Sequence, residues 1–189
     1  MTYRFAQVVF FVYYHLFYRL KISGKENIPD TGPVILCSNH ISLNDPLLLG
    51  SSIKRPVHFI AKSELFKNPF FSFILRKINA IQVKRGTTDM SAFKSAMEVL
   101  DKGSVLGIFA QGGRVREEEA KDAKAGVALF ALRSNAAVIP VKISGYKLFR
   151  RVTLTIGEPV NIGAFQGKKI KSDMLKELTD IIMAKVSSL

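Results

Sequence analysis

A histidine and an aspartate five residues apart, His40 and Asp45 in SNHISLNDP, are the first pair in this chain with the types to do acid–base chemistry. On a single helix two residues at that spacing would lie about 140° apart and would not face each other. They meet only if the chain bends between them. Ser42 and Asn44 favour such a bend, and Asp45-Pro46 reads as the start of the next helix, with Asp45 as N-cap and Pro46 at its first position. A carboxylate held on one imidazole nitrogen fixes the tautomer and leaves the other nitrogen to take a proton from a hydroxyl. The same residues also fit a plainer arrangement, in which Asp45 only caps its helix and His40 is a polar loop residue.

Two other short stretches carry groups suited to anions. In QVKRG, Lys84 and Arg85 end an expected strand and point to opposite faces, so at least one reaches a phosphate or both are solvated surface charges. In FAQGGR, Gly112 and Gly113 let backbone N–H groups curl around an anion that Arg114 closes on, or they simply form a tight turn. No phosphate-binding Walker loop or dinucleotide fingerprint is present, and His15, His40 and His58 lack metal-ligand spacing.

The elements that must hold these residues alternate. Apolar runs at PVILCS, PVHFIAK, AIQVK, SVLGIFA, AAVIPVKISG and RVTLTIG read as strands, as does LKISG. Between them, DPLLLGSSI, SELFKNPFFSFILRKI (with a new segment at Pro69), TTDMSAFKSAMEVLDKG, VALFALRSN and SDMLKELTDIIMAKVSS read as helices, and QGGRVREEEAKDAKAG as a loop and polar segment. This alternation predicts an α/β domain with a mixed sheet covered by helices.

The chain has 189 residues, room for one domain with a small appendage, and 28 Lys and Arg against 15 Asp and Glu give it a net charge of +13. Such an excess points to polyanions: nucleic acid, an anionic membrane surface or phosphorylated substrates. No nucleic-acid motif accompanies the charge, and nucleic acid is not expected as a partner. Cys37, the single cysteine, excludes an intrachain disulfide and ends an apolar run, as an ordinary buried thiol does. Residues 3 to 20 form a helix about 27 Å long with Arg4, Gln7, His15 and Arg19 within an arc of about 120°. A helix with one polar stripe and a wide aromatic face suits the membrane interface, and packing on the protein's own core is the alternative. A full span is less favoured because the stripe would face lipid, and no signal-peptide cleavage site follows. The expected division is a membrane-associating helix at 1–20 and a second unit at 21–189, peripheral or monotopic on the cytoplasmic face. SELFKNPFFSFILRK is either a second membrane contact or core.

Taken in order, these features resemble the glycerolipid acyltransferase family, the 1-acyl-glycerol-3-phosphate (lysophosphatidic acid) acyltransferases in particular. The resemblance rests on Asn39, His40 and Asp45; on Ile81, Val83, Lys84 and Arg85; on Phe109, Gly112 and Arg114; and on Val138, Ile139, Pro140 and Val141, over roughly residues 22 to 160. It implies that His40 deprotonates the acceptor hydroxyl with Asp45 orienting it, and that the hydroxyl attacks the thioester of an acyl-CoA or acyl-carrier protein. Asn39, Lys84, Arg85, Gln111, Gly112, Gly113 and Arg114 would bind substrate, and the arginines would hold the acceptor phosphate. No metal or bound cofactor is implied, and the partners are membrane lipids and the acyl donor. The chain departs from the pattern at Gln111, where the family has Glu, at Ala110, Gly113 and Val115 beside it, and at Asn79 and Gln82 in the second block. Gln111 keeps hydrogen-bonding capacity but loses a charge.

Overall fold

The computed structural model describes residues 3–84, 89–112, 117–145 and 148–189, with the backbone alone at 111–112 and 117–125. Seven strands form one sheet: β1 (Lys21–Ser23), β2 (Val34–His40), β3 (Val57–Lys62), β4 (Ile81–Val83), β5 (Val105–Gly112), β6 (Ala137–Ser144) and β7 (Thr153–Ile156), in the order β1-β7-β6-β2-β5-β3-β4. Every neighbouring pair is parallel except β6–β7, so the sheet is mixed as expected. Six helices are described: α1 (Tyr3–Tyr18), α2 (Asp45–Ser52), α3 (Pro69–Lys77), α4 (Met90–Asp101), α5 (Glu117–Ser134) and α6 (Ser172–Ser188).

The central strand β2 explains its own apolar run. Val34, Ile35, Leu36 and Cys37 are all fully buried because β2 lies between β6 and β5 with helices over both faces. Side chains alternate along it. Ile35 and Cys37 join Leu106, Ile108 and residues of α4, α5 and α6 in one core layer. Val34 and Leu36 join Val105, Ile139 and residues of α1 and α2 in the other. By the same alternation His40 falls on the α2 side. Burial pushes the Cys37 thiol up to about 12, so it is an inert core group.

Three expectations need correction. Helix α1 ends at Tyr18 rather than at residue 20, because Arg19 turns to φ 45°, and Gln7 of the expected polar stripe faces the protein, donating to Gly50 O at 3.1 Å. Residues 117–126, read as a polar segment outside the helix, are the first turns of α5. Their charged composition hid the helical period, which only becomes apolar where Val127, Ala128, Phe130 and Ala131 pack into the core. Asp45 is also not the N-cap. Asn44 holds that position without a side-chain bond, and Asp45 is the first residue of α2. Elsewhere the breakpoints are as read: Pro69 opens α3, and Gly103, at φ 67°, follows α4. Asn79 adopts φ 55° just after α3, and Ala80 N–H closes on Leu75 O at 2.9 Å. Among side-chain-bearing residues Asn tolerates that left-handed turn best, which accounts for Asn where the family pattern has Gly.

Candidate active site

Strand β2 ends at His40, and the four residues to Asp45 fold back so that both side chains meet. His40 Nδ1 lies 2.8 Å from Asp45 Oδ2. The same oxygen accepts Ile41 N–H at 2.7 Å and Ser42 N–H at 2.8 Å. Asp45 N–H donates to Ser42 O at 3.1 Å, closing the turn. Asp45 therefore caps backwards, onto the loop before its own helix. This one carboxylate fixes both the loop and the imidazole. Asp45 is fully buried while His40 keeps 22% of its side chain exposed, so the pair has one dry member and one member open to a reactant. Its Nδ1 being taken, His40 presents Nε2 outward. Asp45 Oδ1 is buried with no partner among the described residues.

Aromatic rings fix the imidazole from behind. His40 stacks on Phe109, with centroids 4.6 Å apart and planes at 28°, and Phe109 stacks on Phe59 at 5.7 Å and 13°. The stack needs Gly107, since a Cβ there would fall 2.4 Å from Phe59 Cε1. A glycine inside an apolar strand signals such a close approach, and it was the clue in the sequence to a feature otherwise missed. A register shift between Ser38 and Asn39 brings Gln111 opposite Asn39 and Gly112 opposite His40. The end of β5 is thereby set beside the histidine.

The other expected residues fall as follows. Asn39 sits next to His40, but both ends of its amide bond the backbone of β6. Nδ2 donates to Ile143 O at 2.9 Å and Oδ1 accepts Ile143 N–H at 2.8 Å. Backbone pairing of β2 with β6 ends at Ser38–Val141, and the amide continues the ladder where the strands part. Lys84 is exposed just beyond β4, its N–H donating to Asp89 Oδ2 at 2.8 Å. Since β4, β3, β5 and β2 run parallel, it lies at the same carboxyl edge as His40, three strands or about 14 Å away. Arg85, Gly113 and Arg114 lie outside the described residues, as does the Gln111 side chain. Among the described residues no cluster of three His, Cys, Asp or Glu is able to hold a metal ion.

A helix-covered mixed sheet that presents a histidine on a buried aspartate, open to a hydroxyl, defines a class of group-transfer site that works by general base catalysis. Residues 19–144 match the Acyltransferase family, and the chain belongs to that family. It is 32% identical over 178 residues to the 1-acyl-sn-glycerol-3-phosphate acyltransferase of Bacillus subtilis, covering 90% of this chain and 87% of that protein. It is 31% identical over 127 residues to the enzyme of the same name from Borreliella burgdorferi, covering 66% of this chain and 51% of that one. The crystal structure of the 1-acyl-sn-glycerophosphate (LPA) acyltransferase PlsC from Thermotoga maritima superposes with a TM-score of 0.68 at 26% identity, over 98% of this chain and 77% of that one.

Proposed function

We propose that this acyltransferase moves a fatty acyl group from an acyl thioester to the free hydroxyl of 1-acyl-glycerol-3-phosphate, making phosphatidic acid. The observation that carries the reading is the 2.8 Å contact between His40 Nδ1 and the buried Asp45 carboxylate. The names of the relatives support the acceptor. In the step itself, His40 Nε2 takes the acceptor's hydroxyl proton while the oxygen bonds to the thioester carbonyl carbon. The tetrahedral adduct then collapses, the C–S bond breaks, and the leaving thiolate takes the proton back from the imidazolium. Asp45 holds the tautomer and stabilises the cation. Arg85, Arg114 and Lys84 bind the acceptor phosphate. The donor is acyl-CoA or an acyl-carrier protein, and the chemistry uses no metal or bound cofactor.

Membrane association belongs to the same reading. Among the described residues no helix is long and apolar enough to cross a membrane. Phe5, Val8, Val9, Val12 and Leu16 nevertheless leave an apolar face of α1 open. Phe70, Phe71 and Phe73 of α3 are likewise exposed rather than in the core. These faces dock the protein as a peripheral or monotopic protein, on the cytoplasmic side, where its lipid acceptor lies. Helix α1, within the 1–20 unit, is thus membrane-associating and also contributes Tyr14 and Tyr18 to the core of the 21–189 unit.

The test is acyl transfer in detergent micelles, with lysophosphatidic acid and a long-chain acyl-CoA, comparing wild type with His40→Ala. The expected loss is about a hundredfold to ten-thousandfold in turnover with the fold intact by circular dichroism. A folded His40→Ala protein that keeps wild-type turnover would remove His40 as the base.

A further inference from the structure

The reading above assigns α1 and α3 to the membrane and leaves the loop between β6 and β7 unused. That loop presents Leu148 at 54% and Phe149 at 65% exposure, followed by exposed Arg150 and Arg151. It is not a loose excursion. Phe149 N–H donates to Phe17 O at 2.8 Å, Val152 N–H to Tyr18 O at 2.8 Å, and Lys21 N–H to Val152 O at 2.9 Å. Residues 149–152 are therefore pinned along the last turn of α1, where they satisfy carbonyls that a helix end leaves open. The Phe149 ring meets the Phe17 ring at 6.1 Å. Phe149 holds φ 59° and Arg19 φ 45°, conformations that non-glycine residues seldom adopt. Gly145 lets the loop close, because a Cβ there would meet Arg151 O at 2.5 Å.

Charge and position agree on what the ring meets. No acidic residue occurs in 1–25 or in 135–157, whereas Arg4, Arg19, Lys21, Lys25, Lys142, Lys147, Arg150 and Arg151 do. The loop springs from the carboxyl end of β6, one residue beyond Ser144, and Asn39 clamps that end at Ile143, next to His40. Tyr14 Oη of α1 donates to Asn44 O in the His40 loop at 3.1 Å, and Ile41 and Leu43 there are exposed. We propose that Leu148 and Phe149 insert into an anionic bilayer surface beside Phe17, and that Arg19, Arg150 and Arg151 hold its phosphates. This further contact, at the end of α1 away from α3, helps set the rotation of the protein about α1 so that the His40 edge faces the lipid. It rests on the membrane reading of α1. A bilayer is favoured over an acidic protein because the tip is apolar and continuous with the apolar face of α1.

Co-sedimentation of the full chain with vesicles tests it, using phosphatidylcholine alone and phosphatidylcholine mixed with phosphatidylglycerol. L148S/F149S should weaken binding to both vesicles about tenfold or more, and Phe149→Leu should restore most of it. R150Q/R151Q should leave neutral vesicles unaffected and lose about fivefold per arginine on anionic ones. Both variants should keep wild-type turnover on micellar acceptor, since neither residue pair touches the site, and should lose turnover on acceptor held in vesicles. Wild-type binding by both loop variants, with V8S/V12S/L16S released, would overturn this proposal and leave the α1 anchor standing. Wild-type binding by all three would overturn the membrane reading itself. If R150Q/R151Q bound vesicles normally but raised KM for an acyl-carrier-protein donor in micelles, the patch would be a docking site for that acidic protein and the lipid assignment would fall.

Discussion

Helices α1 and α6 are nearly equal in length, at 16 and 17 residues, and pack on opposite faces of the sheet. Helix α6 buries Leu178, Ile182, Met183 and Val186 and turns Asp173, Lys176, Glu177, Asp180 and Lys185 outward. Helix α1 does something different. Its inner face carries the hydrogen-bonding groups. Gln7 Nε2 donates to Gly50 O at 3.1 Å and to Ile53 O, Tyr3 Oη accepts Val57 N–H at 3.0 Å, and Tyr14 Oη donates to Asn44 O. Its outer face shows Phe5, Val8, Val9, Val12 and Leu16. The exposed surface of α6 is charged, whereas that of α1 is mainly apolar and flanked by Arg4 and His15. Burial in the fold cannot explain the aliphatic residues of α1, since the fold leaves them exposed.

That contrast is open to direct attack. The largest effect should come from Leu178→Ala in α6, where a fully buried side chain leaves a cavity and destabilises the protein by about 2–5 kcal/mol in urea unfolding, with vesicle binding unchanged. The mirror experiment is V8S/V12S/L16S in α1. It should shift stability in water by no more than about 0.5 kcal/mol and weaken vesicle binding on the order of a hundredfold. Equal stability losses in the two helices would erase the contrast. Gln7→Ala should sit between them, at about 1–2 kcal/mol, because it strips hydrogen bonds from the Gly50 and Ile53 carbonyls.

The smallest effect is expected at α4, a helix that takes no part in the contrast. Its N-cap Asp89 is held down to about 2, first by the Lys84 N–H and then by the Ser91 hydroxyl and N–H groups of the first turn. A carboxylate depressed in the fold contributes its stability above the ordinary carboxylate range and loses it as pH falls toward about 2. Asp89→Asn should flatten that part of the acid-unfolding curve slightly and leave vesicle binding untouched. A wild-type curve in the variant would show the cap to be idle.

Much of the arrangement was legible beforehand. The apolar runs marked each strand, Pro69 and Gly103 marked helix ends, and His40 and Asp45 stood out as a candidate pair that the fold brings together. The start of α5 was hidden because a charged first turn carries no apolar period. The Phe59–Phe109–His40 stack was hidden because its rings come from three strands that meet only in the sheet. Asn39 read as a ligand by position, whereas its amide serves the β2–β6 seam, a role that depends on where two distant strands part.

Residue types and spacing determined by themselves an α/β domain of alternating strands and helices, because periodicity is a local property of the chain; they left His40 and Asp45 open to either a catalytic pair or a plain cap, and the acyltransferase reading came from the resemblance of the ordered motifs to that family. Tertiary structure alone decided that Asp45 bonds backwards to His40, Ile41 and Ser42 and that the imidazole is backed by Phe109. It also decided which face of α1 meets the protein and which is left exposed. Those outcomes depend on what lies across the sheet or on the neighbouring helix, and a helical wheel holds no information about its neighbour.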